Sequence, residues 1–291
     1  MLDHHPEVAF NLESDFLVSR IADDGSFPDI GNYCEWLRND RVFQHSHFEI
    51  KDNLEFVAMA NDFLEQKRCR DRKALVGATI HKQFSKIGSI WTKAKYIYLL
   101  RDGRAVANSV MQLGWAGNAY VAADWWLEAE MEWERCRETL PDGSWIEVRY
   151  CNLIADPVKE LTRICQFLGV DYSDRMFEYA KDSSYGLPDA SLTYLWQKKI
   201  SKSMLQRIEE KIGDRLLSRG YVLSGHPRIT LSKIEKKFLA WHSKIGVFVY
   251  QVRKYGATLV IREVVTRRIG LKERHRHISH ILNKITDANL K

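Results

Sequence analysis

Short apolar segments alternate with longer amphipathic ones over most of the chain. Residues 95–100 are apolar and rich in β-branched and aromatic side chains, and residues 145–150 alternate between apolar and polar side chains. Both patterns are typical of strands. Residues 105–113 and 125–138, which lie between them, are compatible with helices. Because such crossovers are long enough for parallel pairing, the sequence predicts an α/β fold with a parallel sheet flanked by helices.

Apolar spacing and capping signals predict further helices. Residues 54–66 and 203–217 carry apolar side chains at helical intervals. Asp156 and Pro157 mark the beginning of another helix, which Gly169 ends. Strands and helices therefore succeed one another up to about residue 222.

The last part of the chain has a different character. Residues 260–269 and 278–285 are basic amphipathic segments, and before them apolar residues recur every three or four positions. These apolar residues are Leu231, Ile234, Phe238, Trp241, Ile245, Phe248 and Val252. The pattern predicts a domain at residues 1–228 and a basic helical extension at residues 229–291.

Charge also separates these two parts. The chain carries a formal net charge of +6, but residues 231–291 contain fourteen basic and four acidic residues and so carry +10, which leaves −4 for residues 1–230. We expect the tail helices to pack on the domain and to keep a solvated basic face. Contact with an anionic membrane surface or a polyanionic acceptor is the alternative. Nucleic-acid binding fits the charge but has no supporting motif, so none is expected.

The composition excludes several classes of protein. With 45% hydrophobic residues, a chain of 291 residues can bury a core and is not disordered. Its longest apolar runs, such as residues 96–100 and 245–250, fall far short of the roughly 20 residues of a membrane-spanning helix. No secretory signal is present at the N-terminus. If Met1 is the true start, we expect a cytoplasmic protein that can associate peripherally with a membrane.

The cysteines indicate neither a disulfide framework nor a metal site. The five are scattered, without a Cys-x-x-Cys pair and without clustered Cys/His ligand spacing. They are Cys34, Cys69, Cys136, Cys151 and Cys165. We expect reduced thiols, mostly buried as small hydrophobic residues, and no bound metal.

The most informative segment follows the predicted strand at residues 95–100. Arg101 and Arg104 lie in the turn after it, and Ser109 follows on the next helix, eight residues after Arg101. A guanidinium at the end of a strand can bind a phosphate monoester through two charge-assisted hydrogen bonds, and Ser109 adds a hydroxyl. The alternative is an ordinary surface ion pair of Arg101 or Arg104 with Asp102. The spacing alone does not decide between them.

Residues 96–109 resemble the 3′-phosphate-binding element of sulfotransferases that use 3′-phosphoadenosine 5′-phosphosulfate (PAPS). Residues 1–8 resemble the stretch that follows the phosphate-binding loop of this family, most of all in the tyrosylprotein-type and bacterial enzymes. Residues 149–169 and 196–221 resemble later segments in the same order. The resemblance covers about residues 1–222 and implies a fold related to P-loop nucleotide kinases.

The resemblance implies roles for individual residues. Arg101 and Ser109 would bind the 3′-phosphate of PAPS, Tyr150 would lie near the cofactor, and Arg104 would be a weaker candidate. Glu13 aligns with a glutamate proposed as general base in the tyrosylprotein-type enzymes, where it takes the proton of the acceptor hydroxyl. Without the resemblance, Glu13 is interpreted as a solvated loop carboxylate or a helix cap.

Two features depart from the family pattern. The Gly-rich loop whose backbone N–H groups bind the 5′-phosphosulfate has no counterpart in these 291 residues, so we expect the chain to start downstream of it. The lysine that stabilises charge on the transferring sulfuryl group is out of register, with Thr79 near its position and Lys82 three residues later. Lys82 can replace that lysine as a catalytic residue only if the loop bends.

The resemblance implies transfer of a sulfuryl group from PAPS to a hydroxyl of a carbohydrate, lipid or peptide, without a metal. The product of the donor would be adenosine 3′,5′-bisphosphate. A catalytically inactive family member that serves as a binding module is the first alternative, and the absent loop favours it. An ATP-dependent P-loop kinase is the second, which the lack of a Lys-Ser/Thr loop disfavours. The acceptor and the oligomeric state cannot be inferred from these residues.

Overall fold

The computed structural model describes residues 1–183 and 186–288, and the backbone divides into two compact units. Unit 1 comprises Met1–Leu100 and Met131–Ala190, and unit 2 comprises Arg101–Glu130 and Ser191–Lys291. The domain boundary that the sequence predicts at residue 228 is not tested by this division and stays a prediction.

The strands of unit 1 form two parallel pairs. β1 (Val8–Asn11) pairs with β2 (Leu75–Ala78), and Val8 lies opposite Leu75. β3 (Tyr96–Leu100) pairs with β4 (Trp145–Arg149), and Tyr96 lies opposite Trp145. The predicted α/β class with parallel strands is confirmed. The sequence analysis found β3 and β4 to within one residue but not β1 and β2, which are only four residues long.

Helices make up most of the remaining secondary structure of the two units. In chain order they are α1 (Ile30–Asn39), α2 (Arg41–Ser46), α3 (Phe56–Asp71), α4 (Gly103–Gln112), α5 (Ala119–Thr139), α6 (Tyr150–Ala155), α7 (Pro157–Leu168), α8 (Tyr179–Asp182), α9 (Leu195–Lys199), α10 (Lys202–Ser218), α11 (Lys233–Tyr255), α12 (Ala257–Arg268) and α13 (Lys272–Ala288). The helices predicted within the domain from apolar spacing correspond to α3, α4, α5, α7 and α10.

The ends of α7 show how the sequence sets a helix boundary. The Asp156 side chain accepts a hydrogen bond from the Lys159 backbone N–H at 3.1 Å, and Pro157 supplies the first helical residue. Gly169 ends the helix in the left-handed conformation, with φ of 85°. The capping signals at residues 156–169 therefore act as predicted.

An aromatic core fixes the segment that follows β1. Phe16 and Leu17, in the 3-10 turn Asp15–Leu17, are buried among side chains from α1, α2 and α3. The Phe16 ring lies edge-on to Phe43 at 5.3 Å and to Phe63 at 6.3 Å. Such edge-to-face contacts add about 0.5–1.5 kcal/mol each to the burial of the rings. The turn directly after β1 is thereby held in place.

In unit 2, α11 packs closely against the segment that joins α4 to α5. A Cβ atom on Gly246 would lie 2.7 Å from the Gly117 Cα atom and 3.1 Å from the Gly117 carbonyl oxygen. The Ser243 hydroxyl accepts a hydrogen bond from the Gly117 N–H at 2.9 Å. Two glycines are needed here because the two backbones approach to a distance that leaves no room for a side chain.

None of the helices in the described ranges has an apolar stretch long enough to cross a bilayer.

Replacing Gly246 with alanine is expected to destabilise unit 2 by about 1–3 kcal/mol, the range for overpacking a tight contact. Gly to Ala inside a helix normally stabilises by up to about 1 kcal/mol, so the expected sign is reversed here. Gly213→Ala in α10 is the matched control, because the nearest atoms to its new Cβ lie at 3.8 Å. Chemical denaturation of both variants measures the difference, and equal stabilisation by both would contradict the close approach.

Candidate functional site

Polar residues meet at the carboxyl edge of the β1–β2 pair. Backbone pairing continues past the strand ends, since Ser14 N–H donates to the Thr79 carbonyl at 3.0 Å and Thr79 N–H donates to the Asn11 carbonyl at 2.9 Å. The loop after β1, with Glu13, therefore lies beside the loop after β2, with Lys82. The carboxyl edge of a parallel sheet is where α/β proteins place their ligands.

Asn11 holds the loop that carries Glu13. Its side-chain amide donates to the Ser14 hydroxyl at 2.7 Å and to the Glu13 carbonyl oxygen at 3.3 Å, and both Asn11 and Ser14 are buried. The Glu13 side chain is exposed. Its backbone is thus fixed while its carboxylate remains accessible, as a general base for an external hydroxyl requires.

Asp15 joins the two loops. One of its carboxylate oxygens accepts hydrogen bonds from the His81 backbone N–H at 2.6 Å and from the Lys82 backbone N–H at 3.3 Å. The other lies 3.3 Å from Nδ1 of the His81 ring. Burial tends to raise the pKa of Asp15, but its hydrogen bonds to His81 outweigh burial and lower it. Asp15 is therefore ionised and binds both backbone and ring.

The His81 ring lies within the electrostatic influence of both predicted catalytic residues. The hydrogen bond that the Asp15 carboxylate accepts from the ring raises the pKa of His81 above its ordinary value and outweighs burial, which lowers it. The charge of Glu13 raises this pKa slightly further, and the charge of Lys82 lowers it slightly. Glu13 and Lys82 are thus brought to the same edge of the sheet. Their catalytic roles stay predictions.

The loop bends directly after Lys82, and a catalytic role of this lysine stays a prediction. Gln83 adopts the left-handed conformation, with φ of 53°. The Glu132 carboxylate holds the bend by accepting hydrogen bonds from Gln83 N–H at 3.0 Å and from the Ser85 hydroxyl at 2.9 Å. The backbone of Lys82 is therefore fixed on both sides, by Asp15 before the bend and by Glu132 after it.

Asp15 and His81 were not found by the sequence analysis. The available signal was their position, since each follows a short apolar segment at a distance of three or four residues. That signal became usable only once β1 and β2 were known to be neighbouring parallel strands.

The arginine turn in unit 2 begins directly after β3 along the chain. Asp102 caps α4 by accepting from the Arg104 backbone N–H at 2.9 Å, and the Trp126 indole N–H donates to the Arg101 carbonyl at 2.8 Å. Ser109 lies in the second turn of α4. Arg101 and Ser109 are both partly exposed, and the backbone that carries them is held by neighbouring elements.

Gly103 allows α4 to begin where neighbouring side chains leave no room for a Cβ atom. A Cβ atom there would lie 2.6 Å from the Trp126 ring and 2.6 Å from the Ile212 side chain of α10. The residue between Arg101 and Arg104 at this position must therefore be glycine, and the start of α4 is wedged between α5 and α10.

Arg104 lies inside unit 2 rather than on its surface. Its guanidinium donates to Asp102 at 2.8 and 3.0 Å and to Glu209 at 2.8 Å, and it stacks on the Trp196 ring at 4.3 Å. Only 4% of the Arg104 side chain is exposed. Glu209 in turn accepts from the Ser224 N–H at 2.8 Å and hydroxyl at 2.7 Å. This geometry favours a structural role that joins α4 to α10, and contact of Arg104 with a nucleotide stays a prediction.

Tyr150 is the first residue of α6 and directly follows β4. It is partly buried and near Tyr179, whose pKa is raised by burial and, to a smaller extent, by Tyr150. The predicted position of Tyr150 beside a cofactor is not tested by this geometry. The candidate residues thus fall into two groups, with Glu13, Lys82 and Tyr150 in unit 1 and Arg101, Arg104 and Ser109 in unit 2.

The cysteines are free thiols, as predicted. Cys34, Cys136 and Cys165 are buried, and burial raises the pKa of Cys136 to about 11. A thiol with this pKa is protonated near neutral pH and is a poor nucleophile. Within residues 1–183 and 186–288, no group of three or more His, Cys, Asp or Glu side chains has the arrangement of a metal site.

Replacing Asp15 with asparagine is expected to lower the pKa of His81, because the charge that favours the imidazolium is removed. A raised pKa in the folded state means that the pair stabilises the fold below the unfolded pKa of histidine. That contribution is lost as the pH rises through the folded pKa. NMR titration of the imidazole signals, with His81→Gln to assign the resonance, measures the change. An unchanged pKa in Asp15→Asn would show that the pair does not form in solution.

Comparison with known proteins shows to which protein family the chain belongs. A family profile described as "Sulfotransferase family" matches residues 1–174, more than half of the chain. Two relatives named putative protein-tyrosine sulfotransferase, from Caenorhabditis elegans and Caenorhabditis briggsae, are each 23% identical over 186 residues. Each alignment covers 62% of this chain, with 68% of the C. elegans protein and 62% of the C. briggsae protein.

Two solved structures also resemble the chain at low similarity. The sulfotransferase domain from the curacin biosynthetic pathway has a TM-score of 0.46 and 17% identity, and covers 76% of this chain and 92% of that domain. The sulfotransferase domain from the Synechococcus PCC 7002 olefin synthase has a TM-score of 0.48 and 18% identity. This match covers 75% of the present chain and 96% of that domain. The profile match over residues 1–174 is what decides the assignment: the chain belongs to the sulfotransferase family of enzymes, which transfer sulfuryl groups.

Proposed function

We propose that this protein transfers the sulfuryl group of PAPS to a hydroxyl of an acceptor. The observation that carries the proposal is the Arg101–Ser109 element, in which a guanidinium follows β3 and a hydroxyl lies on α4 at the predicted spacing. Its backbone is held by Trp126 and by the close fit at Gly103. An arginine and a serine carried by a held backbone suit the 3′-phosphate, which distinguishes PAPS from ATP.

The chemistry of the donor set fits the nucleotide. The 3′-phosphate is a phosphate monoester with three terminal oxygens, which can accept two parallel hydrogen bonds from the Arg101 guanidinium and one from the Ser109 hydroxyl. Arg104 is not needed for this contact, since Asp102 and Glu209 already engage its guanidinium. In this proposal Arg104 supports the turn and Arg101 binds the ligand.

The carboxyl edge of β1–β2 supplies groups suited to the transfer itself. In the proposed step, the acceptor oxygen attacks sulfur, a new oxygen–sulfur bond forms, and the bond from sulfur to the 5′-phosphate oxygen breaks. Glu13 takes the proton of the hydroxyl, and adenosine 3′,5′-bisphosphate leaves with the bonding pair. Lys82 lies at the same edge and would offset the negative charge that develops during transfer. The ring of His81 lies beside it, and its pKa is raised by Asp15.

The acceptor is proposed only as a hydroxyl compound. The two relatives with protein-tyrosine in their names make a tyrosine peptide the first acceptor to assay. Carbohydrate and lipid hydroxyls complete the panel, since the fold does not specify the acceptor.

Adenosine 3′,5′-bisphosphate is expected to bind more tightly than ADP, which has two phosphates but none at the 3′ position. Arg101→Ala is expected to weaken its binding by about 1.5–3 kcal/mol, or roughly tenfold to a hundredfold, as for a lost hydrogen bond to a charged group. Titration calorimetry measures both effects, and Arg135→Ala, at an exposed arginine of α5, is the matched control. Equal affinity for the two nucleotides would remove the main support for the proposal.

Glu13→Gln is expected to lower kcat for sulfuryl transfer by about 100-fold or more, because the amide cannot accept the proton. Nucleotide affinity should be unchanged, since Glu13 is not assigned to the 3′-phosphate. Glu7→Gln, at an exposed carboxylate that precedes β1, is the control. A Glu13→Gln enzyme with full activity would exclude this base. Nucleotide binding by the unaltered protein without transfer to any acceptor would instead favour the binding-module alternative.

A further inference from the structure

The helix α11 has two faces of different chemistry. The inner face contacts the segment at residues 114–118, where Asn118 donates to the Leu239 carbonyl at 2.7 Å. Ser243 and Gly246 meet Gly117 on the same side. Leu239, Ser243 and Gly246 are spaced by three or four residues and therefore form one stripe along the helix. Two of the three residues in this inner stripe, Ser243 and Gly246, are small, and Leu239 is the larger apolar one.

The outer face carries the large apolar side chains. They are Ile234, Phe238, Trp241, Ile245, Phe248 and Val249, and each is between 39% and 80% exposed. At about 100° of rotation per residue, these positions form one continuous sector of the helix surface that does not include the inner stripe. All of them except Val249 belong to the apolar repeat found in the sequence from residue 231 onward. The helix packs on residues 114–118 through its inner stripe, and these side chains remain exposed.

Exposed lysines border the apolar stripe. Lys233, Lys237 and Lys244 lie along one of its sides by the same helical rotation, and all three are exposed. Within the described ranges none of them forms an ion pair, whereas Lys236, on the inner side, pairs with Glu210 at 2.9 Å. Three positive charges without protein counterions therefore stand beside a row of aromatic and aliphatic side chains.

The next helix, α12, also exposes both apolar and basic side chains. α12 exposes Ile261 and Val265, and its exposed arginines include Arg262, Arg267 and Arg268. Residues 231–291 carry +10 in a chain of net charge +6. Large apolar side chains next to basic ones are the composition of helices that lie in the interface of a membrane.

We propose that the outer face of α11 binds the surface of an anionic lipid bilayer. The apolar stripe would enter the boundary between headgroups and acyl chains, and the lysines would contact anionic headgroups. A nucleic acid would use the positive charge but not a stripe of isoleucine, phenylalanine and tryptophan. The helix would lie on the membrane and not cross it, since no described helix is long and apolar enough to do so. The inference is independent of the proposed sulfuryl transfer.

The test uses the full chain and vesicles of phosphatidylcholine with or without phosphatidylserine, in a flotation assay at low and high salt. Binding is expected to be at least about tenfold stronger to the phosphatidylserine vesicles and to decrease at high salt. Replacing Lys233, Lys237 and Lys244 with glutamate should reduce this binding at least about tenfold. The same replacement at the exposed lysines Lys93, Lys159 and Lys198 is the matched control and should have a much smaller effect.

A second variant tests the apolar contribution. Phe238→Ser with Trp241→Ser should abolish flotation, whereas Val222→Ser, at another exposed apolar residue, should not. All the replaced side chains are exposed, so circular dichroism should show unchanged folding and calorimetry should show unchanged affinity for adenosine 3′,5′-bisphosphate.

Three results would overturn the proposal. The first is equal binding to both kinds of vesicle or to neither. The second is full vesicle binding by both the triple lysine-to-glutamate variant and the variant with Phe238→Ser and Trp241→Ser. The third is a concentration-dependent dimer in analytical ultracentrifugation that Trp241→Ser abolishes while vesicle binding is absent, since the outer face would then join two copies of the chain.

Discussion

Parallel pairing of two four-residue strands is the constraint on which the candidate chemistry of unit 1 depends. Because β1 and β2 run in the same direction and in a fixed register, the loops that follow them leave the sheet side by side. The hydrogen bonds of Ser14 and Thr79 extend this pairing beyond the strands. Asp15 can then bind the backbone of both His81 and Lys82. A slip of one residue would turn every side chain of a strand to the other face and would break this set of contacts.

In unit 2 the structure of the arginine turn depends on a buried charge, the guanidinium of Arg104. Arg104 was a candidate for a surface ion pair with Asp102, and the pair does form, but inside the protein. A buried guanidinium is stable only when its donors are satisfied, and here Asp102 and Glu209 satisfy them while Trp196 covers the group. The same contacts fix the turn that carries Arg101. One arginine of the turn thus supports the backbone that carries the other, which is the arginine proposed to bind the 3′-phosphate.

The two faces of α11 show that apolar periodicity does not identify the face that packs. Where the inner face meets Gly117 it carries Ser243 and Gly246, and this contact depends on close backbone approach and not on large side chains. The outer face keeps Phe238 and Trp241 exposed. Large exposed apolar patches on a protein usually mark a surface that binds another protein, a membrane or a ligand.

The sequence by itself determined the fold class, the longer elements and the spacing of the arginine and serine element. These properties are local, since the caps at Asp156 and Gly169 and the periodicity of α3, α7 and α10 depend on residues close along the chain. The tertiary structure alone decided that Asp15 and His81 meet, because they are 66 residues apart and their contact follows from strand register. It also decided that Arg104 is buried and that the apolar face of α11 is exposed. Burial depends on which distant segments surround a side chain, and no pattern of neighbouring residues contains that information.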